Sequence, residues 1–392
     1  MFWLISLALQ TFSLRYGGTQ LHFGPGTVEK LRGWVSQFRR VYIVTGRRSA
    51  KVCGALDDVV KILSDAGVAY EHFNEVSPNP TTSMVHKLAE RAWRFGAEAF
   101  IAIGGGSPID TAKLASVIVE CGGEIQDYIK GRREVCGSIP VAAINITHGT
   151  GTEVDRYAVT TIEETKEKLS LAHPAIYPAI SIDDPRYLRT LPRNQTVYTT
   201  LDALYHAIES ATTVDSPPIV AALAEEAVMY IARYLPKALE NPEDLEARYW
   251  LLYASMVAGI AIDLGRTHLV HAIEHALSGI RPELAHGCGL AIVGPKIVEL
   301  TYRARPETLH RLLKHLDPSL RPVPDDAPRA AEAVRRFQKS VGFDERLRNY
   351  GFSEADEESV VKLTMESLGF LVRLAPFEVT PEIVKEVFRS SL

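Results

Sequence analysis

The first half of the chain alternates short β-branched runs with amphipathic segments, and this alternation constrains the fold more than any other feature. Several runs are continuously apolar, so we predict strands that are buried on both faces. The predicted strands are VYIVTG, VAYEHFNEV, AEAFIAIGGG, IPVAAINI and AISIDDP, and the helix-period segments among them include ALDDVVKILSDAG, MVHKLAERAWRFG and SPIDTAKLASVIVE. Alternating strands and helices predict an α/β domain with a largely parallel sheet and right-handed crossovers.

The second half of the chain changes character near Arg193. From there to Leu392 the apolar residues recur at helical spacing, in segments such as ALAEEAVMYIARYLPKAL and LEARYWLLYASMVAGIAI. Apolar residues at this spacing form one face of a helix, which packs against other helices. We therefore predict an α/β domain over residues 1–193 and an all-α domain over residues 194–392.

The N-terminal run MFWLISLALQTFSLRY is apolar but shorter than the ~20 residues that a membrane span needs. It lacks a basic segment and a clear cleavage site, so we interpret it as an edge strand, with a targeting role as the alternative. An edge strand can pair with a second copy of the chain, and we expect a homodimer. The net charge of -5 provides no general attraction to nucleic acid or to an anionic membrane.

The four cysteines, Cys53, Cys121, Cys136 and Cys288, show no paired spacing. We therefore expect buried thiols of a reducing compartment, and hence a cytoplasmic protein, rather than a disulfide framework. Asn and Gln are scarce and Arg outnumbers Lys, a composition that favours a thermophilic source.

A glycine-rich turn, GGGSPID, runs from Gly104 to Asp110 between a predicted strand and a predicted helix. Ser107 is a suitable N-cap, Pro108 suits the first helical position, and Asp110 would complete a capping box. Glycines let the backbone approach a ligand, and the N–H groups at a helix start attract anions. The turn predicts a pyrophosphate site, with a simple tight turn as the alternative. It is not the GxGxxG fingerprint of the common dinucleotide-binding fold.

Two further turns follow predicted strands. The segment from Thr147 to Glu153, THGTGTE, has hydroxyls and glycines that can line the same cleft, although alone it is more typical of an ordinary loop. The turn after the first buried strand contains Gly46, Arg47 and Arg48 and no acid. In a dinucleotide site an acid there binds the 2′-hydroxyl of NAD, whereas arginine accommodates the 2′-phosphate of NADP. We infer a preference for NADP over NAD, with two solvated arginines as the alternative.

The helical half contains a concentration of potential metal ligands. Asp202 and His206 are four residues apart in a helical pattern, as are His271 and His275, so each pair lies on one helix face. His286 follows shortly after, at the expected start of a further helix. Imidazole and carboxylate groups in this number predict a divalent metal site, although a single histidine on a helix is more often structural.

His268 lies three residues before His271 and is predicted to face either the same cleft or the solvent. A divalent ion held by the cluster can polarise an alcohol or aldehyde oxygen. A nicotinamide bound at the glycine turn can then exchange hydride with the adjacent carbon. The cluster and the turn together therefore predict an oxidoreductase.

Five segments together resemble the iron-containing (group III) metal-dependent alcohol dehydrogenases: GGGSPIDTAK, GTGTE, PNPTT, DALYHAIE and HAIEHALSG followed by HG. The resemblance runs over most of the chain. It implies a Rossmann-like nucleotide-binding domain and a helical domain, in the architecture of dehydroquinate synthase, with the active site in the cleft between them. The chain departs from the family's PTTAGTGSE segment at Asn145, Ile146 and His148, which puts contacts on the adenine side in doubt.

Site residues carried over from the resemblance fall into three groups. The metal ligands would be Asp202, His206, His271 and His286, for Fe²⁺ or Zn²⁺, and His275 would lie near the nicotinamide and substrate in a proton relay. The pyrophosphate would be held by Gly104, Gly105, Gly106 and Ser107, with Asp110 towards the nicotinamide. The rest of the cofactor cleft would be lined by Thr147, Thr150 and Lys168.

The resemblance implies an NADP-preferring dehydrogenase of a small alcohol, or a reductase of the aldehyde. The alternatives are a polyol (glycerol-type) dehydrogenase, a lyase of the dehydroquinate synthase type, and a non-catalytic regulatory protein. The lyase would need a lysine-rich phosphate pocket, and the histidines of the helical half have few lysines around them.

Overall fold

The structure, a computed structural model, describes residues 9–392, so the first half of the predicted N-terminal strand lies outside the described residues. The described strands are β1 (Phe12–Tyr16), β2 (Thr19–Phe23), β3 (Arg40–Gly46), β4 (Ala69–Val76), β5 (Ala99–Gly104), β6 (Val141–Asn145), β7 (Tyr157–Ile162), β8 (Glu167–Ala172) and β9 (Ile180–Asp183). The described helices in the first half are α1 (Leu31–Val35), α2 (Ser49–Val52), α3 (Ala55–Ala66), α4 (Thr82–Phe95), α5 (Gly106–Cys121) and α6 (Ile125–Ile129). Those in the second half are α7 (Arg193–Thr212), α8 (Pro218–Glu240), α9 (Leu245–Gly265), α10 (Leu269–Ile280), α11 (His286–Ala304), α12 (Pro306–Leu313), α13 (Ala327–Ser340), α14 (Glu357–Lys362), α15 (Gly369–Val372) and α16 (Pro381–Ser391).

Seven strands form the main sheet in the order β1-β2-β9-β6-β5-β3-β4, and every neighbouring pair is parallel except β1 with β2. The inner strand β5 is buried on both faces, because alternate side chains pack against helices on opposite sides of the sheet. Ile101 and Ile103 join the apolar cluster that includes α3, whereas Phe100 and Ala102 join the cluster of α4 and α5. The predicted α/β fold with a largely parallel sheet is confirmed.

The chain after Arg193 is built of helices and loops, as the helical spacing predicts. Helix α7 lies at its centre and packs against α8, α9 and α11. Among the described helices, none combines the length and apolar character needed to cross a membrane. The last strand of the sheet ends at Asp183 and α7 begins at Arg193, and the domain boundary at Arg193 stays a prediction.

An antiparallel hairpin of β7 and β8 was not predicted from the sequence. Its turn, from Glu163 to Lys166, is charged, and its strands are short and mix polar with apolar residues. The hairpin packs against α5 on one side and α10 on the other, so it joins the two halves of the molecule. It therefore brings Lys168 to the boundary between them.

The expectation of four thiols is wrong for two of the cysteines. Cys121 ends α5 and forms a disulfide with Cys136, whose Cα lies 5.9 Å away. The segment between them contains α6 and ends before β6, and it brings together two cysteines with a sequence separation of 15. Cys53 and Cys288 are free thiols, the first partly buried and the second fully buried.

Candidate active site

A cleft of about 1030 Å³ is lined by residues from both halves of the chain. The predicted site residues that line it are Gly46, Arg47, Arg48, Gly105, Gly106, Ser107, Asp110, Thr147, Thr150, Lys168, Asp202, His206, His271, His275 and His286. Gly104 is the exception, since it is buried at the end of β5. Two groups predicted from separate sequence patterns therefore face the same space.

The glycine turn is shaped by close packing. A Cβ atom on Gly105 would lie 2.6 Å from Thr147 Oγ1, and one on Gly106 would lie 2.9 Å from Thr150 Cγ2. A side chain at either glycine would therefore collide with the loop from Thr147 to Glu153. Gly104 is constrained in the same way by Pro108, whose Cγ would lie 2.3 Å from an added Cβ.

The predicted capping box at this turn is wrong. Helix α5 begins at Gly106, one residue before Ser107, and its N-cap Gly105 makes no side-chain capping bond. Asp110 instead accepts hydrogen bonds from Thr152 Oγ1 at 2.7 Å and from the Val159 backbone N–H at 2.9 Å. Its carboxylate ties α5 to the loop and the hairpin, because tertiary partners outcompete the local cap.

Lys113, which was not predicted from the sequence, also links α5 to the loop and the hairpin. Its fully buried ammonium group donates to Thr152 Oγ1 at 2.8 Å, to Asp155 Oδ1 at 3.0 Å and to the Tyr157 carbonyl at 2.9 Å. A buried lysine needs such partners, since the uncompensated charge is costly. Its position three residues after Asp110, in the first half of a helix that carries no other basic residue, was the available signal.

The turn after β3, from Gly46 to Arg48, lies at the open side of the cleft. Arg47 and Arg48 are exposed and follow β3 directly, next to Gly46. Two arginines at the carboxyl end of a parallel strand give this part of the cleft a positive charge.

The predicted metal ligands converge on one oxygen atom. Asp202 Oδ1 lies 3.3 Å from His206 Nε2, 3.8 Å from His271 Nε2 and 3.7 Å from His286 Nε2. Helices α7, α10 and α11 supply these side chains, and the donor atoms of Asp202, His271 and His286 lie within 4.8 Å of one another. Asp202 Oδ1 and His271 Nε2 are buried and have no hydrogen-bond partner among the described residues.

Each imidazole of the cluster is held from behind at its other nitrogen. Nδ1 of His206 lies 3.2 Å from the Gly149 carbonyl, Nδ1 of His271 contacts Glu209, and Nδ1 of His286 contacts Glu274. An acceptor at Nδ1 places the proton there and leaves the Nε2 lone pair free towards Asp202. The donor set, its orientation and its unpartnered atoms fit a divalent transition metal.

Glu209 and Glu274 were not predicted, although each lies three residues after a candidate ligand in the sequence. Both are fully buried. Glu209 also accepts from the Val270 backbone N–H at 2.6 Å, which fixes the start of α10. A glutamate one helical turn from a predicted histidine ligand is the signal that would have found them.

Electrostatics in the protein alone suit ligand binding. Burial opposes ionisation of Asp202, but the surrounding imidazoles outweigh it and lower its pKa to about 2. Burial lowers the pKa of His206, and burial with the nearby Lys168 lowers the pKa of His286 well below its usual value. Burial is outweighed at His271, where Glu209 and Asp202 raise the pKa to about 9. The carboxylate is thus anionic and His206 and His286 are neutral, whereas His271 carries a second proton, at Nε2, which it would release when a metal binds there.

His275 and Lys168 lie beside this group. The His275 ring is centred 5.5 Å from that of His286 and 6.2 Å from that of His271, and its buried Nδ1 has no partner among the described residues. Lys168 Nζ donates to Ser278 Oγ at 3.0 Å and lies 3.3 Å from Glu274 Oε2. Lys168 therefore lies at the histidine end of the cleft.

The structure also places His268 and the three departures from the family segment. His268 faces neither cleft nor solvent, because it is fully buried with Nδ1 3.1 Å from Glu209 Oε1. His148, one of the departures from the family segment, is buried with Nε2 3.1 Å from Arg248 Nη1. Asn145, another departure, donates to Asp183 Oδ1 at 3.2 Å. Ile146, the third, lines the cleft.

Comparisons with known proteins identify the family of this chain. Residues 18–185 match the family model described as iron-containing alcohol dehydrogenase, and residues 196–392 match that of the Fe-containing alcohol dehydrogenase family, C-terminal. The chain is 39% identical over 390 residues to the long-chain primary alcohol dehydrogenase AdhA of Thermoanaerobacter ethanolicus, covering 97% of this chain and 98% of that protein. It is 31% identical to the NADH-dependent butanol dehydrogenase A of Clostridium acetobutylicum, covering 95% and 97%. Among solved structures, an archaeal halo-thermophilic Red Sea brine pool alcohol dehydrogenase matches with a TM-score of 0.91 at 30% identity, covering 99% of this chain and 100% of that one.

Proposed function

This chain belongs to the iron-containing alcohol dehydrogenase family, and from that premise we propose that it interconverts primary alcohols and aldehydes with a nicotinamide cofactor and one bound metal ion. One observation carries the proposal: the cluster around Asp202 and the glycine turn at Gly105 and Gly106 line a single cleft.

We assign Asp202, His206, His271 and His286 as the ligands of one divalent ion, Fe²⁺ or Zn²⁺. Support comes from their convergence and from the acceptor behind each imidazole. When bound, the metal supplies Lewis-acid polarisation of the substrate oxygen and the nicotinamide supplies the hydride acceptor or donor.

The remaining residues bind and orient. The N–H groups at the start of α5, around Gly105, Gly106 and Ser107, form a site for the cofactor pyrophosphate. Thr147 and Thr150 close the opposite side of that turn, because both pack directly on its glycines. We assign Gly104 a packing role under Pro108 instead of a ligand contact.

His275 is our candidate for the proton relay. Its Nδ1 is buried without a partner among the described residues, and its ring lies next to that of His286. The free nitrogen can accept a proton that leaves the substrate hydroxyl or return it to the product. Asp110 and Lys168, in contrast, have protein partners and support the cleft wall and the Glu274–His286 pair.

The preference for NADP remains our proposal from Arg47 and Arg48. Relatives named as NAD-dependent methanol dehydrogenase and NADH-dependent butanol dehydrogenase use NAD(H) by their names. The two exposed arginines favour the extra phosphate in this chain.

For the substrate, we propose an aliphatic primary alcohol or its aldehyde. The cleft includes an apolar portion with Ile262, Leu371, Leu374 and Phe370, of which Phe370 is 43% exposed and lies towards the mouth. Apolar side chains favour an alkyl chain and offer few partners to the hydroxyls of a polyol. Relatives are named for long-chain primary alcohols and for butanol.

A substrate panel tests the proposal. The purified chain is loaded either with Fe²⁺ under anaerobic conditions or with Zn²⁺. It is then mixed with NADPH or NADH and with aldehydes from acetaldehyde to decanal, and glyceraldehyde serves for comparison. We expect oxidation of the cofactor with the alkyl aldehydes and weaker oxidation with glyceraldehyde. No oxidation with any aldehyde, in protein shown to contain metal, would overturn the proposal.

A division near Arg193 and a homodimer that uses the sheet edge at β1 are further proposals. The change from strands to helices supports the division, and the edge position of β1 supports the dimer. Sedimentation measures the oligomeric state directly, and a monomer at micromolar concentration would contradict the dimer.

A further inference from the structure

One carboxylate holds two tyrosines that line the cleft. The Tyr198 hydroxyl donates to Glu345 Oε1, and the Tyr350 hydroxyl donates to Glu345 Oε2. Cys288 Sγ adds a third contact, 3.4 Å from Glu345 Oε2 and 3.3 Å from the Tyr350 hydroxyl. We call Tyr198, Glu345 and Tyr350 the tyrosine clamp. Nothing in the proposed metal or cofactor chemistry uses these residues.

The clamp lies beside the metal cluster. Tyr198 precedes Asp202 by four residues on α7, so the two side chains share a helix face. The backbone after His286 packs directly on Tyr198, because a Cβ on Gly287 would lie 2.0 Å from the Tyr198 carbonyl oxygen. Both tyrosines line the cleft together with His286 and Gly287.

Several interactions hold the two rings in place. Hydrogen bonds to an ionised carboxylate are stronger than neutral ones, and a single acceptor fixes both hydroxyls relative to each other. The Tyr198 ring also packs edge-on against Phe343, with the centroids 6.2 Å apart. Burial, followed by the contact with Glu345, raises the pKa of Tyr198. Its hydroxyl therefore stays protonated as a donor.

A rigid wall at this position limits what fits around the reacting carbon. The proposed function puts the substrate oxygen at the metal cluster, and the two rings line the same cleft as His286 and Gly287. We take them as the wall that faces the carbon bearing that oxygen. The apolar side chains Leu371 and Leu374 can receive one alkyl chain from that carbon. A second substituent on it would meet rings that cannot turn aside without breaking their bonds to Glu345.

We propose that Glu345 is a specificity-determining positioning residue, which holds Tyr198 and Tyr350 so that primary alcohols fit the cleft and secondary alcohols do not. This inference rests on the proposed function. It adds to that function a residue outside the metal and cofactor sites.

The test measures kcat/KM for two isomers, the primary alcohol hexan-1-ol and the secondary alcohol hexan-2-ol. Glu345→Leu removes the shared acceptor, and Tyr198→Phe combined with Tyr350→Phe removes the two hydroxyls while keeping both rings. Tyr302→Phe is the matched control, since it deletes the hydroxyl of a buried tyrosine that bonds to the Arg321 carbonyl outside the cleft. We expect the preference for the primary alcohol to fall about tenfold in both clamp variants and to stay unchanged in the control.

The ratio separates positioning from a loss of folded protein. A smaller folded fraction lowers kcat/KM for both alcohols equally and leaves their ratio unchanged. An unchanged ratio in the clamp variants, or an equal change in Tyr302→Phe, would overturn the inference. If Glu345→Leu does not fold, the double phenylalanine variant decides alone. Wild-type protein that oxidises neither alcohol nor reduces any aldehyde would instead contradict the proposed function.

Discussion

Replacing Glu274 by glutamine is expected to weaken metal binding although no proposed ligand is changed. Glu274 is fully buried on α10, where Oε2 contacts Nδ1 of His286 and lies 3.3 Å from Lys168 Nζ. Glutamine keeps the shape of the side chain but loses its charge. Its amide nitrogen would also be buried without a hydrogen-bond partner, since it would replace Glu274 Oε1, which has none among the described residues.

The magnitude follows from the change in hydrogen-bond type. A hydrogen bond to a charged group contributes about 1.5–3 kcal/mol and a neutral one about 0.5–1.5 kcal/mol. The variant therefore loses roughly 1–1.5 kcal/mol of the support for His286 as a ligand. This corresponds to about a tenfold higher Kd for the metal. Partners of metal-bound histidines generally have effects of about 10–100-fold.

Competition with a chelator of known affinity measures this Kd, with Zn²⁺ as the probe and at fixed pH. Glu283→Gln is the matched control, because it removes the same charge from an exposed glutamate three residues before His286. We expect the control to change the Kd less than about twofold, since exposed charges are screened. Equal Kd values for Glu274→Gln and the wild type would refute the reasoning that Glu274 supports His286.

Three other predictions concern the disulfide, a buried acid and the cofactor. Replacing Cys121 and Cys136 by serine opens a loop with a sequence separation of 15; the loss of about 3 kcal/mol should lower Tm by roughly 4 °C, and an unchanged Tm in calorimetry would contradict this. Burial raises the pKa of Glu153 to about 7 from 4.5, so the folded state holds this proton more tightly than the unfolded state. The resulting gain in the free energy of unfolding is fully present below pH 4.5 and is lost as the pH rises through about 7. The free energy of unfolding of Glu153→Gln should therefore rise by roughly 3 kcal/mol relative to that of the wild type between pH 4.5 and pH 8. Denaturant unfolding measures it, and parallel pH profiles for the two proteins would refute the prediction. Arg47→Ala with Arg48→Ala should raise the KM for NADP more than that for NAD, whereas equal effects would assign both arginines to the solvated surface.

The parts of the fold that the sequence predicts are those set by local pattern. The buried strands follow from continuous apolar runs, and the pairs Asp202–His206 and His271–His275 follow from the helical period of 3.6 residues; neither pattern needs tertiary information. The glycine turn is recognisable because its residues lie next to one another in the chain.

The features that were missed depend on contacts between distant segments. The pairing of Cys121 with Cys136 requires the path of a loop, which has no periodic signature. The start of α5 at Gly106 reflects a tertiary competition, because Asp110 bonds to Thr152 and the hairpin instead of capping the helix. Glu345 belongs to no motif, and its role appears only when Tyr198 and Tyr350 are seen to share its carboxylate.

The central claim is that the histidine cluster and the glycine turn act on one substrate, and a metal titration of activity tests it most directly. Apoprotein is loaded stepwise with Fe²⁺ or Zn²⁺, and aldehyde-dependent oxidation of NADPH is measured against metal content by elemental analysis. We predict that activity rises with bound metal and saturates at one ion per chain, and that His271→Ala folds but loses both metal and activity. Full activity without metal, or one bound ion per chain with no aldehyde-dependent oxidation, would contradict the claim.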